Sequence, residues 1–211
     1  LAFGIYHGVL GLVNLEHYEQ PLYAVAAVGM YFVGLIVSIG DQPGLGLKNT
    51  KAVFSFVIAL VIPLLMAASV SADHRDNHST WYVAGVATLM AVVALRQHKV
   101  LAWLGVLLMA AQVLIWGGVG LLFNAGIFGA LMLVAAAHAA SVTLASSAKA
   151  AEDYLDKALQ TSAATAAKSA ARNERQLRVE QALSAALPFL NKIEKLSGNL
   201  DPQDRKQALA L

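Results

Sequence analysis

Cysteine is absent from the 211 residues, which excludes disulfides and any thiolate metal or redox chemistry. Charge is scarce at 13%, about half of what an ordinary globular chain carries. The scarcity is concentrated: residues 100–148 contain no Asp, Glu, Lys or Arg. A soluble domain of that length would need a polar face, and this stretch has none. It is long enough for two bilayer crossings, since one helical span takes about 20 mostly apolar residues. Histidine is missing after His138, so the segment that follows holds no phospho-acceptor histidine. Also missing are a glycine-rich phosphate loop, a nucleophile elbow and a metal-ligand motif. No catalytic residue, no metal site and no cofactor is expected in this chain. What remains is 58% hydrophobic with a mean hydropathy of +0.60, and this predicts an all-α integral membrane protein.

Charge-free apolar runs mark about six spans, at residues 1–15, 21–39, 52–70, 81–95, 100–116 and 121–144. Pro21 suits a first helical position, and Pro63 interrupts the third span. Gly117, Gly118 and Gly120 divide the long uncharged run into the last two spans. The first span is short and opens at Leu1 with neither an initiator Met nor a basic leader, so we expect the chain to continue upstream. Lys48 and Lys51 lie in one link, Arg96 and Lys99 in another, and Lys149 follows the last span; the alternate links hold Arg75 alone among basic residues. The positive-inside rule places the basic links and both termini in the cytoplasm and the chain in the plasma (inner) membrane. Trp81, Tyr82 and Trp116 fall where an outer aromatic belt belongs.

Three domains follow: a six-span bundle over 1–145, a cytoplasmic helix continuing the last span over 146–196, and a break with the start of a further helix over 197–211. The middle segment has no Gly and a single proline, Pro188, where a bend is expected. Leu155 and Leu159 open a three-four spacing, continued by Ala163, Ala166 and Ala170 and resumed by Leu183, Leu187, Leu190 and Ile193. An Ala-rich seam of this kind makes a weak coiled coil. Lys149, Lys157, Lys168, Arg172, Arg175 and Arg178 are offset by neighbouring acids, a solvated helix with (i, i+4) pairs rather than a nucleic-acid or lipid site. Gly198, Asp201 and Pro202 read as a helix stop and a new start.

Two outer links carry the residues that bind divalent metals or titrate between about pH 5 and 8, Glu16, His17 and Glu19 in one and Asp73, His74, Asp76 and His78 in the other. Brought together they would form an extracytoplasmic sensing patch, although short polar loops are solvated in any case. His7 and His138 fall inside spans, where ionisable groups mark relays or bond a neighbouring helix. Asn14, Gln112 and Asn124 read as interhelical hydrogen-bonding residues. Gly4, Gly8 and Gly11 give the first span a small-residue face suited to close helix approach, a motif frequent by chance.

Two stretches, HSTWYVAGVATLMAVVALRQHKVLAWLGVLLMAAQVLIWGG (78–118) and RNERQLRVEQALSAALPFLNKIEKLSGNLDPQDRKQALAL (172–211), resemble the input half of a family of actinobacterial membrane sensors related to histidine kinases. In that family a multi-span bundle feeds a long cytoplasmic helix, followed by a segment of the LPFLNKI type, a Gly-containing break and a helix ending in Leu. The resemblance implies a two-component signalling protein whose ATP-binding domain would follow Leu211, with a response regulator or another membrane protein as partner. None of the family's catalytic residues falls within this chain.

The expected function is therefore a homodimeric sensor module. His7, Glu16, His17, Asp73, His74, Asp76 and His78 would receive the signal, and Leu177, Leu183, Leu187, Leu190 and Ile193 would pack the transmitting helix on its dimer mate. Two alternatives are a small transporter, which would need buried charges or broken helices near the midplane, and a non-enzymatic subunit of a larger membrane complex.

Overall fold

The computed structural model describes residues 2–40, 46–70, 77–195 and 206, without the side chains at 77, 78, 189 and 193. It divides into two compact units, Leu1–Ala148 and Lys149–Leu211. Among the described residues there are helices and no strand.

The first unit is a bundle built on α1 (Ala2–Val13), α2 (Pro21–Ile39), α3 (Asn49–Ser69), α4 (Trp81–Leu95), α5 (Lys99–Asn124) and the start of α6 (Ile127–Lys195). Pro21 occupies the first turn of α2, where its missing N–H costs nothing. Gly40 closes α2 by donating to the Ile36 carbonyl at 2.9 Å. Helices α2, α3, α5 and α6 are each long and apolar enough to cross a membrane, with mean hydropathies from 1.9 to 2.5 over an 18-residue stretch of each. α1 and α4 are apolar but shorter.

α4 is the centre of the bundle. Eleven of its 15 residues are buried, on every side of the helix, as expected of a helix that is hydrophobic all round. At about 1.5 Å per residue it reaches roughly 22 Å, short of a ~30 Å hydrocarbon core. Because its sides are covered by protein, its length need not match a bilayer.

The last two spans differ from their expected bounds. Of the three glycines that divide the uncharged run, Gly118 alone breaks the backbone, with φ 69° and ψ −170° inside α5. The chain resumes helix to Asn124 and turns again at Gly126, φ 79°. α6 therefore starts at Ile127 and not at residue 121. Both angles lie in the region that only glycine enters without steric cost.

Within the bundle α6 buries Ile127, Ala130, Val134, Ala137 and Ser141, a single 3-4 stripe. In the second unit the helix continues through Pro188 to Lys195, and Leu177, Leu183, Leu187 and Leu190 are all exposed. Arg178 donates to Glu174 one turn back, a solvated pair of small energetic weight.

Candidate functional site

Glu16 and His17 stand exposed on a 3-10 turn, Leu15–His17. The Gln20 N–H donates to the Ser69 carbonyl at 3.4 Å, so the link between α1 and α2 meets the end of α3. Asp73, His74 and Asp76 lie outside the described residues. His78 falls in a second 3-10 turn, Asn77–Thr80, its side chain also outside them. His7 turns to its own helix: Nδ1–H donates to the Phe3 carbonyl at 2.8 Å, and the ring lies against Phe3 and Tyr6, centroids 4.3 and 5.2 Å away. Among the described residues no three His, Asp or Glu side chains gather as a metal site.

The glycine face of α1 is used inside the chain. Gly4, Gly8 and Gly11 are buried. The Tyr31 hydroxyl of α2 donates to the Gly4 carbonyl at 3.1 Å. A Cβ at Gly11 would meet Trp81 at 2.6 Å and Val28 at 2.8 Å. This face lets α1 approach α2 and α4, so it does not serve as a dimer surface.

A cluster that the sequence reading treated only as positive charge proves to be a fastening. The link between α4 and α5 closes as a Schellman turn, with His98 N–H on the Val93 carbonyl (3.1 Å) and Gln97 N–H on that of Ala94 (3.0 Å). Gln97 holds the left-handed position at φ 74°, which costs a residue with a Cβ about 1–2 kcal/mol. All three side chains then reach other elements. Arg96 donates to the Ile39 carbonyl at the end of α2 (2.6 Å), and His98 donates from Nε2 to the Leu47 carbonyl before α3 (2.7 Å). Gln97 donates from Nε2 to the Ser141 carbonyl of α6 (3.1 Å).

One turn deeper, the Trp103 indole N–H of α5 donates to His138 Nδ1 of α6 at 3.0 Å. An indole can only donate, so this bond selects the tautomer with its proton on Nε2. Its partner was hidden from the sequence, because His138 and Trp103 are 35 residues apart. Among the described residues α6 is held by a narrow apolar stripe and by the side-chain hydrogen bonds from Gln97 and Trp103. A cavity of about 380 Å³ beside it, between Phe3, Ala87, Gly129 and Leu133, leaves part of its face loosely packed.

A second cavity, about 420 Å³, opens between α3, α4 and α5. Pro63 and Leu64 of α3 form one wall, Ile115 and Trp116 of α5 the other, and Tyr82 of α4 the floor. Gln112 joins the lining and donates from Nε2 across to the Leu60 carbonyl at 3.3 Å. This is the interhelical role expected of Gln112. Asn14, by contrast, bonds back to the Leu10 carbonyl of its own turn, at 2.9 Å.

Residues 1–148 match the family described as Domain of unknown function (DUF8320). The chain belongs to that family. The match ends where the first compact unit ends, at Ala148, so the bundle is the family's shared part. No curated protein and no solved structure matches the chain.

Proposed function

We propose that the chain is the membrane module of a signalling protein and that α6 is its transmitting element. In this reading the bundle spans the plasma membrane with both termini inside, and the extension carries the signal to an output domain of the histidine kinase-like type. The observation that supports it most is the fastening of α6. The same helix that is clasped by Gln97 and Trp103 in the bundle continues to Lys195. In this reading α6 shifts between two arrangements, and a stimulus acts by binding one of them better.

The leucines of the extension give this reading its dimer. Leu183, Leu187 and Leu190 repeat at three-four spacing and are 54%, 51% and 58% exposed. In water such a stripe is stabilised by a second copy. The chain has no native cysteine, so a single Leu187→Cys reports cleanly. Oxidation of the full chain in membranes should trap a disulfide-linked dimer, and a strict monomer rejects the proposal. Glu16 and His17, beside the start of the second outer link, remain the sensing candidates on the outer side. Substituting both should alter the signal-dependent crosslinking yield at residue 187 without lowering expression.

A further inference from the structure

We infer that the cavity between α3, α4 and α5 is a binding site for a small membrane-dissolved molecule with an apolar body and one O–H or N–H donor, entering sideways from the bilayer. Its volume, about 420 Å³, falls in the range of small-molecule sites, about 300–1,000 Å³. Its walls are apolar apart from Gln112 and the aromatic polar atoms of Tyr82 and Trp116.

The amide of Gln112 sets the chemistry of the occupant. Its Nε2 is committed to the Leu60 carbonyl, which fixes the orientation of the amide because a carbonyl oxygen only accepts. Oε1 is left buried with no hydrogen-bond partner. An unmet acceptor in an apolar surrounding is costly, and a ligand that brings one donor removes that cost.

The mouth of the cavity sets the route. Leu64 and Ile115 line it and are 56% and 86% exposed. With the bundle in a bilayer, that mouth opens sideways to lipid at the level of the aromatic belt expected at Tyr82 and Trp116. Among the described residues the lining carries no Lys or Arg to hold a phosphate and no His or carboxylate to hold a metal. A helix of a partner, about 10 Å across, is too wide for the space. The walls also stand beside Pro63 in α3 and the backbone break at Gly118 in α5, where the helices can yield to a guest.

The site requires the bundle to lie in a bilayer and does not require the relay through α6. The test uses the full chain in phosphatidylcholine nanodiscs and two photoreactive probes, a diazirine-bearing medium-chain alcohol and its methyl ether. Saturable labelling of the peptides holding Leu64 and residues 112–116 is expected, with the alcohol about fivefold tighter than the ether, the scale of one net hydrogen bond. Gln112→Leu should bring the two probes to equal affinity. Ala67→Phe, which fills the cavity from its α3 wall, should abolish saturable labelling by both and leave the melting temperature within a few degrees. Equal affinities in the unmodified chain overturn the inference, as does labelling that never saturates or that ignores Ala67→Phe. If Gln112→Leu fails to fold, the alcohol–ether ratio and Ala67→Phe decide alone. Crosslinking at Leu187→Cys, run in parallel, reads the relay separately: saturable binding without a crosslinking change upholds the site and counts against the relay.

Discussion

In the unit that ends at Ala148, small residues and large ones such as Tyr31, Leu89 and Met90 share the inside, yet other large apolar side chains stand outside. Ala24, Ala27, Ala52, Ala59, Ser38 and Ser55 are fully buried, while Ile115, Leu22, Val100 and Ile36 are 86%, 77%, 73% and 69% exposed. The extension beyond Lys149 also exposes its leucines, but among Lys, Arg, Glu and Gln. The same observation carries opposite meanings in the two places. A leucine facing hydrocarbon loses nothing, and helices there associate through small residues and hydrogen bonds such as Ser38 Oγ to Ser55 Oγ at 2.7 Å. A leucine facing water forgoes about 1.5–3 kcal/mol of burial, so a row of them calls for a partner. In the proposed reading, one unit is completed by lipid and the other by protein.

The most forceful way to break this contrast is to place a charge on each surface. Leu107 of α5 is 51% exposed and lies mid-helix. Leu107→Asp should raise the cost of insertion by about 3 kcal/mol and deplete the chain from the membrane fraction. The same change at Leu187, also 51% exposed, should leave membrane recovery unchanged and abolish dimer crosslinking through a neighbouring cysteine. Equal tolerance of both changes in membrane recovery would mean that water bathes both units.

A smaller effect sharpens the account of how the bundle packs. Gly11→Ala forces a Cβ against Trp81 and Val28, 4% and 3% exposed. Overpacking of this sort destabilises by about 1–3 kcal/mol, and thermal unfolding in detergent should show it as a lower melting temperature. If α1 instead used its glycines for a second copy, the oligomer would dissociate with the melting temperature unchanged.

These tests also mark what the sequence displays and what it conceals. The apolar helices are legible because a charge-free run longer than about 20 residues has one stable home. The bundle's end at residue 148 is close to where the composition turns to Lys, Glu and Ala. The start of α6 is not legible, because Gly117, Gly118, Gly120 and Gly126 look alike until backbone angles distinguish the two that adopt positive φ. Nor does spacing along one helix say who faces it: Gly4, Gly8 and Gly11 suit a second copy as well as they suit Tyr31 and Trp81. The link Arg96-Gln97-His98-Lys99 reads as topology-setting charge. Its bonds to Ile39, Leu47 and Ser141 join residues 44–57 positions apart, a separation that local patterns do not report. Asp73, His74 and Asp76 lie outside the described residues.

The finest comparison is within Gln97 itself, which belongs to the bundle by its backbone and to α6 by its side chain. Gln97→Ala keeps the left-handed strain and removes the bond to Ser141. Gln97→Gly removes both. The alanine variant should therefore melt below the native chain, by the loss of one hydrogen bond worth about 0.5–1.5 kcal/mol. The glycine variant should recover about 1 kcal/mol of that by relief of strain and melt near the native temperature. Yet both variants release the same clasp on α6. If α6 transmits through that clasp, the Leu187→Cys crosslinking yield should shift alike in the two backgrounds although their stabilities differ. A yield that follows melting temperature instead would make Gln97 a fold residue only and leave the bond between Trp103 and His138 as the next fastening to test.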